Sequence, residues 1–328
     1  MSKSSPYVSV VVPVWNRQHL VSIAAEEILK VLSKSFERYE LILVDDGSSD
    51  GSFRRIEAVV EQYAHVRGVR LAKNFGQHAA LCAGIEQAQG EVVVSSDVDL
   101  QCDPRDITKL VSKVLEGYGV VSGWRMGRSD ILSRKVPSYL MNRLINFYTG
   151  VKLHDHGCAF KAISREVADQ IPYQGDMRRF LNALLVNLTP RVAELEVSHR
   201  DLGEEKSTYD FWKLFDLGVD FLTGYSRKPF RIVGVLGSIL TAVGITGSIA
   251  CLAGRFFFPI FREPRLQMLV AACVFLGFQF FALWFVGEFS ARTYQLLQRA
   301  PLFVVAETLN LKRDEKGGGG LAKTTGTD

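Results

Sequence analysis

The sequence predicts an α/β domain built on a mostly parallel sheet, followed by amphipathic helices at a membrane surface and a two-helix transmembrane hairpin. Three observations predict it. Residues 7–122 alternate short β-branched runs with longer stretches of helical periodicity, the pattern of βαβ units. Two later segments, 232–254 and 266–287, carry no charge over 23 and 22 positions, close to the ~20 residues that cross a bilayer. Before them Phe211, Trp212, Phe215, Leu222 and Tyr225 recur at near-helical spacing and give way to Arg227, Lys228 and Arg231, as in a helix lying in the membrane interface.

Taken in order, residues 1–6 form a short tail, and the strands fall at 7–14, 39–44, 69–72 and 91–96. The helices between them fall at 18–33, 52–63 and 77–89. Residues 123–205 mix loops, short strands and basic residues and complete a catalytic-type domain over 7–205. Interface helices over 206–230, the hairpin over 231–290, a juxtamembrane helix over 291–311 and a disordered, glycine-rich tail over 312–328 finish the chain. The apolar run from Val8 to Val14 contains Pro13 and lacks the basic flank and cleavage pattern of an export signal, so it reads as a strand. The expectation is an integral membrane protein of the bacterial inner-membrane type, with its catalytic domain and both termini cytoplasmic.

The composition, 47% hydrophobic and 23% charged over 328 residues, excludes wholesale disorder. A net charge of +4 is small for this length, and no nucleic-acid partner is expected. Five cysteines without a CxxC pair read as reduced thiols. Neither GxGxxG after the first strand nor GxxxxGK[ST] is present, which argues against dinucleotide enzymes and P-loop NTPases.

In open parallel sheets ligands bind beyond the carboxyl ends of the strands. Strand two ends in Asp45-Asp46-Gly47-Ser48 and strand four in Asp97-Val98-Asp99-Leu100-Gln101, which puts acidic residues on one sheet edge. Asp97 and Asp99, one residue apart, leave the same face as a strand ends and converge on one cation. Two carboxylates with substrate phosphates completing the shell are a usual Mg2+ or Mn2+ site. Gln101 offers a third oxygen, and Asp103-Pro104 already supplies the cap of the next helix. Asp45 or Asp46 either shapes a glycine turn or accepts hydrogen bonds from a nucleobase or ribose.

Pro13-Val14-Trp15-Asn16, the Asp45–Gly51 run, Asn74-Phe75-Gly76, Asp97-Val98-Asp99-Leu100-Gln101 and Gly157-Cys158-Ala159-Phe160-Lys161, followed by the hairpin, resemble family-two glycosyltransferases of the Rossmann-like GT-A fold. Over residues 7–290 the chain is similar to polyprenyl-phosphate glycosyltransferases such as dolichol-phosphate mannose synthase, and most like the bacterial branch that glucosylates undecaprenyl phosphate. The resemblance implies an inverting transfer from a nucleotide-sugar donor, UDP-glucose by preference, to a polyprenyl phosphate in the bilayer. It places Pro13, Trp15, Asp45 and Asp46 at the nucleoside, the metal on Asp97, Asp99 and Gln101, and Asp155 beside the site. Where many relatives read Asn-Glu, this chain reads Asn16-Arg17, which leaves the donor contacts open.

The acceptor chemistry needs no family. A phosphate monoester is largely a dianion near pH 7, its second pKa being about 6, so it needs no base, only cations that hold it. Arg125, Arg128, Arg134, Arg200 and Lys206 are the candidates. The His154-Asp155-His156 run reads as a polar loop in which Asp155 orients a sugar hydroxyl or an arginine. His78 reads as a cap or core residue. Gly234, Gly237, Gly244, Gly247 and Ser248 favour close helix packing, within the hairpin or between copies of a homo-oligomer. A processive polysaccharide synthase shares the donor motifs but adds Gln-x-x-Arg-Trp and more spans, whereas this chain has Arg178-Arg179-Phe180 and one hairpin. The acidic pair together with the arginine-rich acceptor side argues against a membrane-anchored sensor that binds a nucleotide sugar without turnover.

Overall fold

The computed structural model describes residues 5–125, 143, 146, 150, 151, 153–155, 157–198, 200, 228–254, 257–297 and 301–310. Four strands, β1 (Tyr7–Val14), β2 (Arg38–Asp45), β3 (Val66–Leu71) and β4 (Val92–Ser95), alternate with α1 (Val21–Ser35), α2 (Ser52–Gln62) and α3 (Gln77–Gln87). A 3-10 turn (Pro104–Asp106) leads into α4 (Ile107–Leu115), followed by β5 (Val120–Arg125), β6 (Lys161–Ser164) and α5 (Arg165–Ala168). A 3-10 segment (Ile171–Phe180) enters α6 (Leu181–Leu188), and β7 (Val192–Val197) precedes the long helices α7 (Lys228–Gly254) and α8 (Pro264–Leu297), then β8 (Val305–Leu309).

All eight strands form one sheet in the order β7-β5-β6-β4-β1-β2-β3-β8. The pairs among β1 to β4 are parallel, whereas β6 runs antiparallel to both β4 and β5. This is the mostly parallel α/β architecture expected. The central strands are valine-rich and buried on both faces, because helices cover both. One core cluster joins alternate residues Val8, Val10, Val12 and Val14 to α1 and α4, and the other joins Val11, Ile42 and Val44 to α3 and α6. Asp103 caps the 3-10 turn, its side chain accepting from Arg105 N–H, as the Asp-Pro pair predicts.

Gly47, just beyond β2, shows why the strand ends are so well fixed. Its φ is +64°, and a Cβ there would collide with the Lys73 and Asn74 backbone. Gly47→Ala is therefore expected to cost about 3 kcal/mol or more through strain and overlap together. Denaturant unfolding of the purified chain measures it.

The helices α7 and α8 contain segments long and apolar enough to cross a membrane, Val233–Gly254 and Pro264–Ser290, with mean hydropathy 2.0 and 2.3. Most of their large apolar side chains are exposed, among them Leu252, Met268 and Phe275, as suits lipid rather than water. Gly234 lies against Trp284, Gly237 against the Phe281 backbone, Gly244 against Val274 and Gly277 against Thr241. The small residues are thus used within the hairpin, and they give no support to an interface between copies.

One expectation is corrected. In place of a helix over 291–311, α8 ends at Leu297 and residues 305–309 form β8, antiparallel to β3. Leu309 packs on the core, and the Asn310 amide donates to the carbonyls of Ala64 and Val66. The run Val304-Val305-Ala306-Glu307-Thr308-Leu309 is β-prone, and the open edge of β3 supplies its hydrogen-bond partners. Of the expected interface helices (206–230), residues 228–230 begin α7 and the rest lie outside the described residues, as does the glycine-rich tail (312–328).

Candidate active site

The parallel strands place the ends of β1, β2 and β4 side by side, with Val14 opposite Asp45 and Val11 opposite Ser95. Pro13 is buried in β1, while Trp15, just past its end, is 53% exposed. The two following loops are stitched together. Asn16 takes a left-handed φ of 51°, its Oδ1 accepts from Ser49 N–H (2.9 Å), and its own N–H donates to Ser48 Oγ (3.0 Å).

Asp45 and Asp46 are both buried, yet they do different work. Asp46 accepts from the backbone N–H groups of Phe75 (2.8 Å) and Gly76 (2.9 Å). It therefore shapes the Asn74-Phe75-Gly76 turn into α3, a structural role the sequence did not show beside its expected place at the nucleoside. Asp45 Oδ1 accepts from Ser48 N–H, whereas Oδ2 has no hydrogen-bond partner among the described residues and lies 3.7 Å from Arg70 Nε. Burial raises the pKa of both, against those hydrogen bonds. A buried carboxylate oxygen with unused acceptor capacity is of the kind that accepts from a ligand N–H or hydroxyl.

Past β4, Leu100 sits at φ 53°, left-handed backbone that leucine rarely adopts. The strained turn carries Asp99 and Gln101. Gln77, at the start of α3, donates through Nε2 to Asp97 Oδ1 (2.7 Å). Burial first, and then the neighbouring charge of Asp99, push Asp97 up to about 6. A carboxylate pair that resists carrying two charges suits a cation. Gln101 is placed otherwise than expected: its Nε2 donates to Asp99 Oδ2 (2.8 Å), and its Oε1 lies 3.5 Å from Arg125 Nη1. It bridges the acidic pair to an arginine and does not present a third metal oxygen. Among the described residues no group of three or more His, Cys, Asp or Glu side chains is arranged around a metal position, so a cation here depends on substrate phosphates for the rest of its shell.

Arg125 ends β5, its side chain only 9% exposed, and donates to both oxygens of Asp155 (2.8 and 3.3 Å). Burial works against its charge, but the bonds to Asp155 outweigh burial and raise its pKa. Asp155 thus orients an arginine, one of the two roles expected of it. Arg200 is a correction. Its guanidinium is taken by Glu27 (2.7 Å) and by Asp103 (3.3 Å), which Arg105 also holds, and its backbone N–H donates to the Gln101 carbonyl. Arg128, Arg134 and Lys206 lie outside the described residues. His78 is held neutral, its pKa pushed down to about 4 by burial and by the charge of Lys161. Lys161 itself is buried and donates to Ser122 Oγ (2.6 Å).

Comparison with known proteins fits this geometry. The profile described as "Glycosyl transferase family 2" matches residues 9–171. The undecaprenyl-phosphate 4-deoxy-4-formamido-L-arabinose transferase of Proteus mirabilis is 34% identical over 94% of this chain and 96% of its own. The chain belongs to glycosyl transferase family 2. Within it, the transferase is one of the polyprenyl-phosphate sugar transferases. The protein of the same name from Photorhabdus laumondii is 32% identical over 92% of this chain and 94% of its own. Among solved structures, mannosyl-3-phosphoglycerate synthase of Rubrobacter xylanophilus superposes with a TM-score of 0.51 at 14% identity, covering 69% of the transferase and 75% of that chain. Glucosyl-3-phosphoglycerate synthase of Mycobacterium tuberculosis gives 0.50 at 20% identity, covering 66% and 78%. Those two likenesses establish the GT-A fold. The names of these sequence relatives carry a formamido-pentose, where the expectation for this chain was glucose.

Proposed function

We propose that the transferase moves 4-deoxy-4-formamido-L-arabinose, with inversion, from a nucleoside diphosphate carrier to the phosphate of undecaprenyl phosphate, its catalytic domain on the cytoplasmic face of the inner membrane. The observation that carries the chemistry is the continuous line of contacts from Asp99 through Gln101 and Arg125 to Asp155 at the strand ends. The near-full-length similarity to the Proteus transferase supports the sugar.

Pro13, Trp15 and Asp45 receive the nucleoside, and Asp97 with Asp99 hold the diphosphate's Mg2+ or Mn2+. When bound, that cation offsets the charge developing on the departing diphosphate. The remaining work is positioning. Arg125, fixed by Asp155, lies between the acidic pair and the acceptor side, where Arg128, Arg134 and Lys206 are proposed to complete a cradle for the lipid phosphate. The acceptor arrives ionised, so no residue is needed as its base.

A panel of labelled donors offered with undecaprenyl phosphate tests this reading. UDP-4-deoxy-4-formamido-L-arabinose is expected to give a lipid carrying one sugar at least about tenfold faster than UDP-glucose or GDP-mannose, since a site that hydrogen-bonds one substituent of its substrate rejects analogues lacking it. Preference for glucose, or growth of a polymer, would overturn it.

A further inference from the structure

Nothing in the proposed chemistry uses Glu194, yet its surroundings are unusual for a residue in the middle of a strand. Its side chain is 11% exposed. The carboxylate accepts from the backbone N–H of His154 (3.0 and 3.1 Å to its two oxygens) and from that of Asp155 (3.0 Å). One oxygen also lies 2.8 Å from His154 Nδ1. The His154 ring in turn stacks on Trp124, with centroids 4.4 Å apart and planes 15° from parallel. One charged acceptor therefore grips two consecutive residues of an irregular segment, and a parallel aromatic contact pins the first of them to β5.

The second of those residues is Asp155, which holds Arg125. Irregular backbone does not fix its own direction as a ladder-bonded strand does, and a bidentate carboxylate–guanidinium pair is sensitive to the angle at which the carboxylate is presented. The geometry points to Glu194 as a positioning residue of the transfer reaction: it holds the 154–155 backbone so that Asp155 keeps Arg125 turned toward Gln101 and Asp99. The inference rests on the reading of Asp155 and Arg125 as site residues given above. It assigns Glu194 a consequence for turnover beyond satisfying two amides.

The test is steady-state transfer to undecaprenyl phosphate by the full-length chain and its E194A, E194Q, D155A and D155A/E194A variants. E194A is expected to lower kcat roughly 30-fold, within the ~100-fold that small misplacements cost, while donor KM changes by less than about threefold. E194Q keeps an oxygen for the backbone N–H groups and is expected to recover to within about threefold of the unaltered chain. D155A/E194A should be no slower than D155A, because two residues acting as a unit do not lose additively. Losses that multiply in the double variant, or E194A within twofold of the unaltered chain, would overturn the role of Glu194. Should E194A fail to fold, Glu194→Asp, whose shorter arm does not span both amides, carries the same comparison. Undiminished transfer by D155A would instead remove the site reading and this inference with it, so the two failures are told apart.

Discussion

Replacing Asp99 by Ala is expected to lower sugar transfer at least about a thousandfold, because a Lewis-acid cation supplies several kcal/mol of transition-state stabilisation and 1.36 kcal/mol is a factor of ten. Folding should survive. Burial first, and then the charge of Asp99, push Asp97 up, so removing the Asp99 charge is expected to leave thermal stability unchanged or slightly higher in the absence of cation. The same turnover loss should follow on treating the unaltered protein with a chelator, and excess Mg2+ or Mn2+ should restore it. Scintillation counting of labelled lipid, beside a thermal melt of each sample, reads both quantities. Full transfer in the chelator would sink the cation assignment, and a collapse in melting temperature on Asp99→Ala would show that the pair is structural.

Arg125 carries the second large effect, and here stability and turnover are expected to part. Arg125→Ala takes from the carboxylate of Asp155, whose side chain is 13% exposed, its two-point partner in β5. Breaking a buried pair from one side costs up to about 3–5 kcal/mol, and the partial exposure of this one lowers the expectation to about 2 kcal/mol. Removing Asp155 as well should restore most of that stability, since the carboxylate that lost its guanidinium is then gone too. Turnover should not recover. Both Arg125→Ala and the double variant are expected to be at least about a hundredfold slow, and Arg125→Lys to lie between them and the unaltered chain because an ammonium does not reproduce the two-point contact. Denaturant midpoints and initial rates on the same preparations make the comparison. Turnover that rises with the restored stability would mean that Arg125 serves the fold alone.

Much of this was legible in the sequence, for identifiable reasons. The short β-branched runs and the period-3.6 stretches of residues 7–122 mark β1 to β4 and the helices between them, with ends displaced by a few residues, because a strand buried on both faces reads as a continuous apolar run. The position of Asp45, Asp97 and Asp99 at the ends of β2 and β4 was readable, because the strand runs and the acidic residues that follow them are adjacent in the chain. Side-chain pairing was not readable. Sequence alone does not say that Asp46 spends both oxygens on the Phe75 and Gly76 amides, or that Arg200 turns to Glu27 and Asp103. Each of these pairs spans from about 30 to more than 170 positions of chain. Gln77 was within reach, since it follows the quoted Asn74-Phe75-Gly76 motif. Glu194 carried no signal beyond being acidic in a strand-like run. The helix expected over 291–311 failed because β-propensity and an open neighbouring strand decided residues 305–309 together, and only the second of these is non-local.

The place of β8 bears on how the enzyme can be made soluble. The hairpin is an insertion between two strands of one sheet, so a chain cut short after residue 200 loses its lipid-facing helices and also uncovers the backbone of β3. Bare strand edges invite pairing with other chains. A water-soluble form that stays monodisperse therefore calls for excision of the helices with a short bridge that rejoins the 301–310 segment to the body, and simple truncation should yield aggregates.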